Sequence, residues 1–263
     1  MVDATLLNWT LQQFLEVIII LIRVGPLIFF MPVTGSGGVP VQIKVLFALL
    51  TALVLAPVVE VPVSSLPSAP LGFAVFVLTE VALAGILSLF ARLVFAAVQL
   101  AGQYISISMG MGMAATIDPQ FGTQTSLVGI LWNLVALLLF LAINGHHIFI
   151  TTMVESFQWI RPGTMHLRQA TFDGMMQGVV NMFVLGIKVM APAGAVLIFS
   201  HVTMGILAKT VPQIPVMIVA MPLNIALGFI FVGLSLTFFS PLMISNFEML
   251  GRLLPRLAMG LGG

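Results

Sequence analysis

Hydrophobic and polar positions fall into six long apolar stretches, at residues 11–31, 41–59, 71–101, 127–143, 179–208 and 214–247. None alternates apolar and polar over the roughly ten residues of a lipid-facing barrel strand. A chain in hydrocarbon satisfies its own backbone hydrogen bonds, so the stretches predict six helices. Proline and glycine mark the joins. "PVTGSGGVP" at 32–40 predicts a tight turn, and "VPVSSLPSAP" at 61–70 a polar link. "AKTVPQIP" at 208–215 predicts a helix end and a new start, because proline has no N–H to give to a helix interior. Residues 144–177 break the pattern. They collect Glu155, Arg161, Arg168, Asp173 and three of the four histidines. This segment predicts one wet stretch between a four-helix part and a terminal helical hairpin. The stretches at 71–101 and 214–247 would reach roughly 45–50 Å, against a hydrocarbon core of about 30 Å. They either tilt and kink, at Pro222 and Pro241 for example, or leave the bilayer and bury in protein.

Composition sharpens this to a membrane class. The chain has 263 residues, 60% hydrophobic and 6% charged. So few charges cannot cover a water-facing surface, so most of it faces lipid or other protein. Net charge is +1 with no basic cluster, which gives no nucleic-acid reading. Cysteine is absent, which excludes disulfides, cysteine zinc sites, iron–sulfur clusters and thiol nucleophiles. The only early charge is Asp3, where a signal peptide needs a positive start, so the first apolar stretch is expected to stay in the mature protein. For six crossings, Lys44 and Lys209 fall on one side and Arg161, Arg168, Arg252 and Arg256 on the other. That count puts the N-terminus in the cytoplasm.

Ionisable residues inside the apolar stretches are the first candidates for chemistry. Glu16 and Arg23 lie on one helical face; Glu80 and Arg92 share the third stretch but are too far apart to pair directly. Lys188 and His201 sit in the fifth. Such groups either relay protons or ions, or form ion pairs that fix helix register. Adjacent His146 and His147 point apart on a helix and give no zinc geometry. No nucleophile elbow, phosphate loop or dinucleotide fingerprint occurs, so neither an enzyme nor a cofactor is expected.

The stretch "SISMGMGMAATIDPQFGTQTS" at 106–126 is the second candidate. Extended, Met109, Met111 and Met113 share a face; as a helix, Met109 and Met113 stack and Met111 turns away. Gly110 and Gly112 lower the cost of leaving either state. Methionine fills gaps of irregular shape. The segment therefore reads either as a soft, movable seal or as a glycine-rich packing helix with methionine filler.

Four blocks in order carry a resemblance over nearly the whole chain. They are "FLEVIIILIRVGPLIFFMPVTGSGGVPVQIKVLFALLTALVLAP", "ARLVFAAVQLAGQYISISMGMGMAATIDPQ", "INGHH" and "GIKVMAP…GILAKTVPQIPVMIVAMPLNIALG". They resemble the FliR family of flagellar type III export-gate proteins, called SctT in virulence secretion systems. The resemblance implies an all-α integral membrane protein of the bacterial inner membrane, in the flagellar basal body. It implies a FliP-like part at 1–175, with a plug loop at about 106–122, and a FliQ-like helical hairpin with a tail at 176–263. FliP-like and FliQ-like subunits would join it in a helical hetero-oligomer, with an FlhB-like protein alongside. Unfolded export substrates would pass, driven mainly by proton-motive force.

By that resemblance the plug residues are Met109, Gly110, Met111, Gly112, Met113, Asp118, Pro119 and Phe121. The intramembrane charges are Glu16, Arg23, Glu80, Arg92 and Lys188, and the turn at Lys209, Pro212 and Gln213 would face the cytoplasmic entrance and FlhB. That orientation overrides the loop-charge count, since the long hairpin helices need not be spans. The sequence departs from the family pattern at Ser88, Ser108 and Asn224, and Gly85 is displaced by one position. Two other readings compete: a stand-alone secondary transporter or ion channel using Lys188, Glu80 and Glu16, and a scaffold that only nucleates assembly.

Overall fold

A computed structural model of the chain describes residues 2–35, 38–59, 61–62, 66–111, 126–213 and 215–262. Among the described residues are seven α-helices and no strand: α1 (Val2–Phe30), α2 (Val41–Leu55), α3 (Pro70–Ser108), α4 (Leu127–Ala142), α5 (Gly145–Trp159), α6 (Gln169–Thr210) and α7 (Val216–Gly262).

The expected all-helical class is seen, with three corrections to the elements. First, α2 is 15 residues long and does not reach residue 59. Ala56 keeps helical backbone, but Pro57 has no N–H to extend the hydrogen-bond ladder, and the chain turns there. At roughly 22 Å, α2 is too short to cross a hydrocarbon core of about 30 Å. Second, the wet segment contains α5, whose buried Phe149, Thr152, Met153, Ser156 and Phe157 recur at helical spacing. Third, α6 starts ten residues before 179, and α7 runs on through Pro222 and Pro241 to Gly262. Its last turns are amphipathic, with Leu250, Leu254, Leu257 and Ala258 buried and Glu248, Arg252 and Arg256 outside.

Four helical segments are long and apolar enough to cross a membrane: Thr10–Phe30, Pro70–Ser108, Thr171–Thr210 and Ile218–Gly262. A fifth is possible by length if α4 and α5 count as one broken span. The break lies at Asn144, which holds the left-handed region at φ 56°, a conformation asparagine tolerates better than most side chains.

The chain divides into two compact units. The first comprises Met1–Arg92, Asn144–Gly178 and Glu248–Gly263. Its core includes Ile19, Ile20, Leu83, Leu87, Met153, Ile160, Leu254 and Leu261. Within it α1 packs on α2, which turns Lys44, Ala48 and Ala52 inward and its large apolar side chains outward. Arg92 donates from Nε to the Phe30 carbonyl at 2.8 Å and lies over the Phe30 ring, a cation on the C-terminal end of α1.

The second unit comprises Leu93–Ile143 and Val179–Phe247. Phe95, Phe140 and Phe247 form an aromatic triangle with centroids 5.1–5.9 Å apart. Trp132 stacks on Phe239 at 5.7 Å. Such geometry adds roughly 0.5–1.5 kcal/mol per pair beyond area burial.

Candidate functional site

In the second unit, the end of α3 fixes where the methionine–glycine segment begins. The Gly110 N–H bonds the Ile107 carbonyl at 2.9 Å, and the Met111 N–H bonds the Ser106 carbonyl at 3.1 Å. Gly110 has φ +82°. These two bonds around a left-handed glycine make a Schellman cap, which satisfies carbonyls that the helix end leaves open. Gly110 thus stops α3 at a defined point.

Met109 is fully buried. It packs on α7 at Gly228, where any added Cβ would run into the Met109 thioether. Met111 is half-buried. Next to the cap lies a mainly apolar cavity of about 570 Å³, whose lining includes Met109, Gly110, His201, Met221, Pro222 and Asn224. Asn224 is buried and accepts a hydrogen bond from Ser200 at 2.6 Å, which joins α6 to α7. Gly112, Met113, Asp118, Pro119 and Phe121 lie outside the described residues. The chain is described again from Ser126, whose hydroxyl accepts from the Gly129 N–H at 2.8 Å as the N-cap of α4.

Gly110→Ala is expected to cost about 1 kcal/mol, because the new Cβ meets only the ordinary contact of Met221 at 3.5 Å but is strained by the positive φ. A lowered unfolding midpoint in detergent checks this; an unchanged midpoint contradicts the cap.

The intramembrane charges sort into one network and several separate positions. In the first unit Arg23 is fully buried. Its fork grips Glu80, from Nε to Oε2 at 2.5 Å and from Nη2 to Oε1 at 3.1 Å. Both terminal nitrogens also donate to the Ile160 carbonyl at 3.2 Å, and Nη1 reaches Ser156 Oγ at 3.3 Å. The guanidinium lies 4.2 Å from the Phe157 ring centroid. Glu80 takes a further bond from the Gly163 N–H at 2.7 Å. Gly163 has φ +79°, and a Cβ there would press on the Phe76 ring at 2.7 Å.

One buried pair thus ties α1 to α3, to α5 and to the 160–163 turn. Bidentate geometry and the extra donors and acceptors are what a buried ion pair needs to offset its desolvation. Glu16, the neighbour that sequence suggests for Arg23, is not its partner; Glu16 is half-buried one turn pair away. Ser156, Ile160 and Gly163 escape a sequence reading, because a carbonyl, a hydroxyl and a backbone N–H carry no charge signal.

Lys188 is exposed on α6 and so is His201. Glu80 is committed to Arg23. Lys209, at the end of α6, and Pro212 and Gln213, in the turn after it, are all exposed. His146 and His147 meet edge to face at 4.2 Å.

The family model for "Bacterial export proteins, family 1" matches residues 14–250. The chain belongs to this family, in its FliR branch. It is 32% identical over 231 residues to the flagellar biosynthetic protein FliR of Bacillus subtilis (strain 168), covering 85% of this chain and 87% of that protein. It is 30% identical over 216 residues to FliR of Caulobacter vibrioides, covering 82% and 86%. With FliR of Escherichia coli (strain K12) it shares 28% over 209 residues, 79% of each chain. The family match at residues 14–250 includes Arg23, Glu80 and the capped end of α3.

Proposed function

We propose that this chain is a non-enzymatic subunit of the flagellar type III protein export gate in the bacterial inner membrane. In this reading it builds, with FliP-like and FliQ-like subunits, the channel through which unfolded flagellar proteins leave the cytoplasm. The segment between α3 and α4 seals that channel at rest. Residues 1–175 stand in for a FliP-like subunit and 176–263 for a FliQ-like one. The exposed turn at Lys209, Pro212 and Gln213 is the contact for an FlhB-like protein.

The observation that carries the assembly is the length of apolar surface on α6 and α7. Large apolar side chains stand exposed from Phe172 to Leu207, and again from Ile218 to Met259. At 1.5 Å per residue each run covers more than roughly 50 Å, well beyond a hydrocarbon core of about 30 Å even when tilted. The excess needs cover from other protein, because apolar surface left in water is costly. Sister subunits with matching helices supply it.

For the seal, the support is local. Met109 and Gly228 give the segment a firm origin, and the methionines beyond it can adapt to a closed neighbour or to a passing peptide. An export-gate subunit is expected to co-purify in detergent with co-expressed FliP-like and FliQ-like subunits as one stoichiometric complex. A stable, isolated chain that transports solutes in liposomes would instead make it a transporter.

A further inference from the structure

In the second unit the two ends of the segment that follows α3 are fastened to one another. Ser126 Oγ donates to the Gly102 carbonyl of α3 at 2.7 Å. It accepts from the Gly129 N–H at 2.8 Å. Ser106 Oγ lies 2.7 Å away as well. A serine hydroxyl has one proton and two lone pairs. The Ser126 proton goes to Gly102, so Ser106 is the donor in the serine pair. All three bonding places of the Ser126 hydroxyl are then filled.

Beside this knot the α3 and α4 backbones touch. A Cβ on Gly102 would fall on the Gly129 Cα and N, and one on Gly129 would press the Ser126 side chain at 3.1 Å. Ser106 is buried, and Ala101, Ile105 and Val128 around the crossing are 0–1% exposed. Small residues that let backbones touch, with side-chain hydroxyls bonded across, hold membrane helices at a fixed separation.

We propose that Ser106, Ser126, Gly102 and Gly129 form a permanent clasp that stays shut while a polypeptide is exported. The inference rests on the export-gate reading above. The clasp binds the last turn of α3 to the first turn of α4, so the two helices do not part at this level. Room for the passing chain comes from rearrangement beyond the clasp. Ser106 and Ser126 are positioning residues: they fix where the intervening segment leaves α3 and where it enters α4.

The protein has no native cysteine, so a Ser106→Cys/Ser126→Cys pair can form only one intramolecular bridge. Hydroxyl oxygens 2.7 Å apart place the two side chains side by side, so that sulfurs in their stead can meet after rotamer adjustment. The pair is made in the complete gate, co-expressed with its partner subunits. Substrate export and small-solute leak are read in the oxidised and the reduced form of the same protein. The clasp predicts export in the oxidised form within about two-fold of the reduced form, with no rise in leak. Export that stops on oxidation and returns with reductant overturns it, because the helices then have to separate.

Ser126→Ala removes all three bonds without adding bulk. It should raise leak several-fold while complex yield stays constant, and an unchanged leak also overturns the clasp. A variant in which 110–114 are deleted separates the two layers of argument. If that deletion neither leaks nor changes export, the sealing reading fails, whereas the oxidation result still reports whether α3 and α4 part.

Discussion

Glu80→Ala leaves Arg23 charged, buried and without its counter-ion, and is expected to destabilise the chain by about 3–5 kcal/mol. The Ile160 carbonyl and the Ser156 hydroxyl would remain as partners, but neither carries a full charge. Loss of Glu80 also orphans the Gly163 N–H, which loosens the 160–163 turn. Arg23→Lys should fall between wild type and Glu80→Ala, since an ammonium cannot grip a carboxylate with two parallel bonds. The double variant Arg23→Met/Glu80→Leu should recover much of the loss, because it removes both buried charges together. The measure is the unfolding midpoint, and the yield of intact protein, after extraction in mild detergent. If Glu80→Ala is no less stable than Glu16→Ala, the network does not hold the first unit together.

The apolar pattern made most of this architecture legible. Pro40 and Leu127 mark true helix starts, and the turn at 211–213 separates α6 from α7 as the prolines indicate. Helix ends hidden from the sequence are those where apolar runs give way to amphipathic ones. Gln169 and Asp173 begin α6 on a polar face, and Glu248, Arg252 and Arg256 line one side of the last turns of α7. The polar look of His146, His147 and Glu155 likewise masked α5, although Phe149, Met153 and Phe157 repeat at four-residue intervals. A period count restricted to 145–159 finds this helix.

The site was harder to see. Arg23 and Glu80 each stand out as a charge in an apolar run, but their pairing depends on which faces of α1 and α3 meet, across 57 positions of chain. The alternation of methionine and glycine reads either as a soft seal or as a packing helix with methionine filler. Its first two members have separate duties: Met109 is a core residue against Gly228, and Gly110 is the stop of α3. Asn224, where the sequence departs from the family pattern, is a buried neutral partner of Ser200.

The second large effect concerns the segment that α3 releases at Gly110. If this segment closes a passage built with sister subunits, shortening it opens that passage. The α3 crossing with α4 keeps the ends in place, since Gly102 and Gly129 leave no slack between the backbones. Removing 110–114 takes away the α3 stop together with Met111 and Met113, so the remaining chain cannot reach across in the same way. Assembly should survive, because the long apolar faces of α6 and α7 are untouched. Substitutions that keep side-chain size, such as Met111→Leu, should leak far less than the deletion, since volume and apolarity matter more to a seal than the sulfur does.

The decisive measurement is the small-solute permeability of cells that express the complete gate with residues 110–114 deleted, compared at equal complex yield with the intact gate. The account predicts a clear leak from the deleted gate and none from the intact one. Equal, low permeability in both would contradict it.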